Sequence, residues 1–311
     1  MSKTNVCFIT DENYAMPTMV AIESLIQNNS KNKFCVYIVA VNLSKENIAN
    51  FNRLSTRKCK INIKEIDNAY ANLGASHPHV SKAALLKFNL SDIFPRLNKL
   101  LYLDDDILVL GDLSELYNIK LGNNYAAVVP DIIDFFAGHD KRLGLKNYFN
   151  SGVMLLNTTK IRKDKISAKL LDYKLHKDTG HFMDQDCFNM VFNKNVKYVS
   201  LKYNMLLSYR NLEIKQMSDF YNLSTDCLKD IIEKPVVLHM AGYKDKLSLP
   251  GDVPESIILK KYFENVKNKI SSKLNSKVKG NFLFTKEKLP NGRRHIYICG
   301  IKIASYKKIK H

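Results

Sequence analysis

Three apolar, β-branched runs separated by segments of helical spacing constrain this fold more than any other feature. Val6-Cys7-Phe8-Ile9-Thr10 reads as a buried strand, and Thr18–Gln27 follows with Met19, Ile22 and Ile26 on one helical face. Phe34–Val41 is a second strand. A polar stretch with Ile48, Phe51 and Leu54 is a second helix, and Ile61–Ile66 is a third strand. Strands that alternate with covering helices give a mostly parallel sheet flanked by helices, an α/β fold. Ser81–Leu90 is expected to be helical, Lys99–Leu103 a strand and Lys165–Leu175 a helix. Ile107–Leu110 is a further apolar run, and Val153–Leu156, Tyr198–Leu201 and Val236–Leu238 are later strand candidates. No internal repeat is visible.

At 311 residues the chain is long enough for one large domain or two modest ones, at about 150 residues per domain. A hydrophobic share of 45% and a charged share of 25% exclude disordered, collagen-like and low-complexity classes. No uncharged apolar run approaches the roughly 18 residues of a spanning helix. The first residues, Met1-Ser2-Lys3-Thr4-Asn5, lack the apolar core of a secretory signal, so a cytoplasmic protein is expected. The six cysteines form no C-x-x-C pair, and those in apolar runs read as small core hydrophobes of a reducing compartment.

The charge is uneven. Residues 256–311 carry 15 Lys/Arg against Glu264 and Glu287, so +13 of the net +18 lies there. Phe282, Phe284, Tyr297, Ile298, Ile301, Ile303 and Tyr306 stand among these cations. Such a mixture suits an anionic lipid surface. A solvated basic face or a nucleic-acid contact has similar letters, but no nucleic-acid-binding motif accompanies it. The turn residues Pro250-Gly251-Asp252-Val253-Pro254 mark a boundary between a 1–253 domain and a 254–311 basic tail.

Leu100-Leu101-Tyr102-Leu103 runs straight into Asp104-Asp105-Asp106. A buried parallel strand places such carboxylates at its C-terminal edge, where open α/β sheets bind ligands. Carboxylates at i and i+2 can share a hard cation such as Mg²⁺ or Mn²⁺, and a solvated loop or helix cap uses the same triplet. There is no G-x-G-x-x-G and no G-x-x-x-x-G-K-[ST], so any phosphate must be held by a metal and basic side chains.

Here the chain resembles glycosyltransferase family 8 across roughly residues 5–246. The resemblance rests on Ile9-Thr10-Asp11-Glu12-Asn13-Tyr14, on Tyr102-Leu103-Asp104-Asp105-Asp106 as the D-x-D, and on Phe149-Asn150-Ser151-Gly152-Val153-Met154-Leu155-Leu156-Asn157. Asp184-Gln185-Asp186 and His239-Met240-Ala241-Gly242 complete it. It implies a single Rossmann-like nucleotide-diphospho-sugar transferase domain of the A fold, acting as a retaining, metal-dependent hexosyltransferase with a UDP-sugar donor. It implies Asp104, Asp106 and His239 as ligands of Mn²⁺ or Mg²⁺, and Thr10, Asp11, Asn13 and Tyr14 at the nucleoside. Asp105 would face sugar or ribose, and Asp131 and Asn150 the donor sugar. Lys87 stands where many relatives have arginine. Asp184 and Gln185 would be the catalytic pair: Asp184 on sugar hydroxyls, Gln185 near the anomeric carbon, with a covalent route through Asp184 as the other mechanism. Gly242 would offer its amide to phosphate, helped by Lys244 or Lys246, since Asp245 occupies the usual lysine position.

The implied partners are a UDP-hexose, a glycan or glycolipid acceptor and, through the tail, the inner face of the cytoplasmic membrane. Galactosyl or glucosyl transfer onto a lipopolysaccharide or lipooligosaccharide core is expected. A protein or capsule acceptor, or a non-catalytic nucleotide-sugar or polynucleotide binder, are the other classes.

Overall fold

A computed structural model describes residues 3–66, 82–177, 184–241, 254–277, 285–288, 293–298 and 301–307. The chain divides into two compact units, Met1–Val266 and Lys267–His311.

In the first unit the strands are β1 (Thr4–Asp11), β2 (Phe34–Val41), β3 (Cys59–Glu65), β4 (Leu100–Leu103), β5 (Ile107–Val109), β6 (Ala126–Pro130), β7 (Phe149–Leu156), β8 (Val196–Tyr198), β9 (Met205–Leu206) and β10 (Val237–His239). Among the described residues seven of them form one sheet in the order β3-β2-β1-β4-β7-β6-β8. Only β7 runs against its neighbours; the other pairings are parallel. The expected α/β class therefore holds, with one reversed strand in mid-sheet. The cause is visible in the sequence: β4, β7 and the Ala15–Asn28 helix are buried almost throughout, as a sheet covered on both faces requires.

Strand order reverses at β1, which pairs with β2 on one side and β4 on the other. Cys7 lies opposite Tyr102, so Asp11 and Asp104 leave the sheet at the same edge. A second small sheet, β5-β10-β9, caps that edge.

One face of the main sheet carries a core of Cys7, Ile9, Val39, Leu86, Phe88, Tyr102, Phe149, Met154, Phe188 and Phe192. Phe88 meets Phe188 edge-on with ring centroids 5.4 Å apart, and Phe188 meets Phe192 at 5.1 Å. Such pairs add about 0.5–1.5 kcal/mol beyond area burial. Cys7, Cys35, Cys59 and Cys187 are free and buried as expected, whereas Cys227 is exposed. Burial pushes the Cys7 thiol well above its ordinary range.

Two elements differ in kind from expectation. Lys82–Asn89 is a 3₁₀ helix, followed by a single α-turn at Leu90–Ile93. Leu86, Lys87 and Phe88 are all buried, so this segment is enclosed on several sides instead of lying with one face on the sheet. The late strand is Val196–Tyr198, and Leu201–Tyr203 is 3₁₀, capped by the Ser200 hydroxyl accepting from Lys202 N–H.

The helix Pro254–Lys277 crosses from one unit into the other. Leu259, Tyr262 and Val266 are buried at helical spacing, Asn28 Nδ2 donates to Tyr262 Oη at 2.6 Å, and Arg210 pairs with buried Glu255. Composition placed the boundary at the preceding turn because charge, not burial, changes there. Lys267–His311, taken by itself, contains the antiparallel sheet of β11 (Thr285–Lys288), β12 (Arg293–Ile298) and β13 (Ile301–Lys307).

A chain ended at Lys277 is expected to keep the melting temperature of the full chain. A chain ended at Glu255 loses three buried side chains, each worth about 2–5 kcal/mol by the measure of large-to-small core substitutions. It is expected to melt far lower, as scanning calorimetry would show.

Candidate active site

Strand register builds the site. In the antiparallel β5–β10 pair His239 lies opposite Ile107, and Met240 N–H donates to Asp106 O at 2.9 Å. This sets His239 Nε2 3.0 Å from Asp106 Oδ1 and 3.8 Å from Asp104 Oδ2. One ligand atom from each of Asp104, Asp106 and His239 lies within 4.8 Å of the others. β7 supplies the floor: Asp104 N–H donates to Gly152 O at 2.8 Å. A Cβ on Gly152 would overlap the His239 ring and stand 2.8 Å from Asp104 Oδ2. Glycine here is a requirement of close approach.

The three facing atoms are all hydrogen-bond acceptors unless a proton or metal ion lies between them. Two carboxylate oxygens and an imidazole nitrogen fit a divalent cation such as Mn²⁺ or Mg²⁺.

Lys87 is buried and reaches Asp104 Oδ1 and Asp184 Oδ2 at 2.8 Å each. Its ammonium also lies 4.8 Å from the Tyr102 ring centroid. Burial alone would lower its pKa, but the charges of Asp104 and Asp184 and their hydrogen bonds hold it above the ordinary lysine value. The ammonium is therefore charged across the physiological range. The Phe88–Phe188 contact explains the placement, since Lys87 neighbours one ring and Asp184 lies one turn before the other. Tyr102 Oη donates to Asp104 Oδ1 at 2.6 Å.

Beside these acids lies a polar wall. Asp131 is buried, and its Oδ1 accepts Ile133 N–H at 3.1 Å and Tyr209 Oη–H at 2.8 Å. Burial and the Asp131 charge push the Tyr209 phenol well above its usual range. Val129 lies opposite Asn150 in the β6–β7 pair, so Asn150 comes beside Asp131, with Nδ2 3.4 Å from Asp131 Oδ2. Gln185 Oε1 accepts Ser151 N–H and Asn150 Nδ2, both at 3.1 Å. The donating backbone amide identifies that atom as the carbonyl oxygen, which is thus held against β7. Ser151 Oγ donates to Asp184 Oδ2 at 2.9 Å. The Gln185–Phe192 helix is pinned to β7 by Asn189, which accepts Phe149 N–H and donates to Phe149 O. Asp186, fully buried, accepts from Arg142 and Tyr148 at 2.7 Å each.

The Thr10–Tyr14 segment is a side-chain-capped turn. Asp11 Oδ1 accepts Asn13 N–H at 2.9 Å and Tyr14 N–H at 3.2 Å, and Thr18 Oγ1 donates to Thr10 Oγ1 at 2.8 Å. Partial burial, then the charges of Asp105, Asp106 and Asp11, raise the Tyr14 phenol above its ordinary value. Gly242, Lys244 and Lys246 lie outside the described residues.

Tyr102, Ser151, Asn204 and Tyr209 belong to the site but carry no assignment from the sequence. Tyr102 and Ser151 sit inside motifs and were within reach of sequence reasoning. Asn204 and Tyr209 sit in no motif, and only folding brings them near.

The family described as Glycosyl transferase family 8 matches residues 5–246. The chain belongs to glycosyltransferase family 8. This family 8 chain is 30% identical over 277 residues to a lipopolysaccharide 1,2-glucosyltransferase of Escherichia coli, covering 85% of this chain and 78% of that protein. It is 24% identical over 250 residues to the lipopolysaccharide glucosyltransferase WaaO of Escherichia coli K12, covering 76% and 70%. Its fold matches that of the galactosyltransferase LgtC, solved with donor and acceptor sugar analogs, at a TM-score of 0.75 and 22% identity, over 84% of this chain and 96% of that one.

Gly152→Ala in this family 8 enzyme displaces His239 or Asp104. Misplacement of about 1 Å costs about 10²-fold in rate. Transfer is expected to fall by about that much while circular dichroism stays that of the parent.

Proposed function

We propose that this chain is a retaining transferase that moves glucose or galactose from a UDP-sugar to the glycan core of lipopolysaccharide or lipooligosaccharide. The observation that carries the reading is the Asp104–Asp106–His239 group at the switch point between β1 and β4. The relatives named as lipopolysaccharide glucosyltransferases support the acceptor class.

The bond to be broken joins the anomeric carbon to the β-phosphate, and its cleavage leaves negative charge on the diphosphate. A dication held by Asp104, Asp106 and His239 supplies charge neutralisation there when bound. Thr10, Asp11, Asn13 and Tyr14 hold the nucleoside, and Asp105 faces ribose or sugar. Asp131, Asn150 and Asp184 accept or donate to hexose hydroxyls and fix the ring. Lys87 keeps Asp104 and Asp184 from repelling each other, so the metal ligand and the sugar ligand stay in one geometry. Gln185, a weak nucleophile with its carbonyl held by Ser151 and Asn150, acts as a fixed dipole near the anomeric carbon. With retention, the acceptor hydroxyl attacks from the face the phosphate leaves. Its proton passes to the departing phosphate oxygen. Gly242 and either Lys244 or Lys246 serve the phosphate from the segment after β10.

Hydrolysis of a panel of UDP-sugars, with and without Mn²⁺, tests donor and metal together. UDP-glucose or UDP-galactose is expected to turn over only with the metal, and Asp106→Ala to lose about 10²–10³-fold or more. Undiminished turnover in that variant, or after exhaustive chelation, would falsify the assignment.

Residues 254–311 act in this reading as a membrane-association tail. Attachment in this reading is peripheral, carried by the basic residues; no helix among the described residues is long and apolar enough to cross a membrane. Each Lys or Arg near an anionic surface is worth about 1 kcal/mol. The full chain is expected to sediment with phosphatidylserine or cardiolipin vesicles at low salt and to release at high salt. The chain ended at Lys277 keeps six of the fifteen cations and should sediment less; equal binding by both forms removes residues 278–311 from the account.

A further inference from the structure

We propose that Asn204 is a positioning residue that fixes the tautomer of His239 and ties the metal ligands to the sugar pocket. Asn204 is fully buried, just after the Leu201–Tyr203 3₁₀ turn. The parallel β9–β10 pairing sets Leu206 opposite His239 and so brings Asn204 to the imidazole.

Hydrogen-bond direction can be followed from groups whose roles are fixed. The backbone N–H of Gly152 can only donate, and it points at Asn150 Oδ1 at 2.9 Å. The Asp131 carboxylate faces Asn150 Nδ2 from the other side. The Asn150 carboxamide is thus oriented at both ends. Its Oδ1 accepts a second bond, from Asn204 Nδ2 at 2.9 Å. Asn204 therefore turns its own Oδ1 to His239 Nδ1, again at 2.9 Å. An amide oxygen only accepts, so Nδ1 carries the proton. The Nε2 lone pair is left to face Asp106 and Asp104, where a cation fits. A hydrogen bond on the far ring nitrogen is the usual way a ligating histidine is oriented. Here the device is a carboxamide, not a carboxylate, so it adds no negative charge to a pocket that already holds Asp104, Asp106, Asp131 and Asp184. Because Asn150 also binds Gln185, one chain of bonds runs from His239 to the anomeric end of the pocket.

This rests on His239 as a metal ligand, and the test separates the two claims. In the ¹⁵N-labelled, metal-free chain, long-range ¹H–¹⁵N spectra identify which ring nitrogen holds the proton, with His239→Gln assigning the signals. Neutral His239 is expected as the Nδ1–H form. Asn204→Asp keeps an acceptor and should keep that form. Asn204→Leu should move the proton to Nε2 and weaken Mn²⁺ binding, read by electron paramagnetic resonance, about 10- to 100-fold. An Nε2–H wild type, or an unchanged signature in Asn204→Leu, overturns the proposal. The wild-type spectrum decides alone if the leucine variant does not fold. A wild type with the Nδ1–H signature that binds no Mn²⁺, with or without UDP, defeats the metal reading and leaves the tautomer assignment standing.

Discussion

A single buried ammonium makes this pocket possible. Asp104 and Asp184 stand 80 positions apart in sequence and would repel each other when desolvated. Lys87 lies 2.8 Å from both. Breaking a buried ion pair typically costs about 3–5 kcal/mol, because a lone charge is left behind. The arrangement therefore depends on Lys87 being driven inward, and its flanking residues do the driving. Leu86 and Phe88 bury in the core on either side, and Phe88 locks against Phe188. Apolar packing supplies the energy that places a charge where electrostatics then needs it. An arginine there would bring a planar fork; the lysine acts as a compact point charge shared by two carboxylates.

Around that centre, neutral groups do the orienting. Asn150, Asn204, Gln185, Ser151 and Tyr102 hold the acids and the imidazole by hydrogen bonds whose directions are mutually consistent. Neutral donors and acceptors fix geometry without adding charge to a low-dielectric site. These bonds run among the chain's own side chains, so they fix the geometry of the pocket from within. The reversed strand β7 contributes Asn150, Ser151 and Gly152, and both neighbours of β7 contribute acids at the same edge. An antiparallel strand in mid-sheet thus brings its N-terminal end to the carboxyl edge of the rest.

The helix Pro254–Lys277 shows how composition and packing can mark different limits. The basic character begins near its start, yet Leu259, Tyr262 and Val266 belong to the core of the first unit. The first turns of the tail are structural parts of the transferase unit.

The sequence by itself determined the α/β class, the strands β1 to β4 and the set of acids, because burial writes apolar periodicity directly into short windows. It also named Asp104, Asp106, His239, Asp131 and Asn150, at strand ends, and Asp184, at a helix start, as candidates, and the structure brings these side chains into one cluster. It missed the 3₁₀ winding at Lys82–Asn89, since helical spacing over eight residues does not separate 3₁₀ from α. Only tertiary structure decided that Lys87 is an internal counter-ion and not a solvated helical lysine, because its partners lie 17 and 97 positions away in sequence. The same holds for Asn204, whose role exists only because β9 pairs with β10 beside β7. Hydrogen-bond direction depends on what stands opposite a group in space, and no local pattern of residues encodes that.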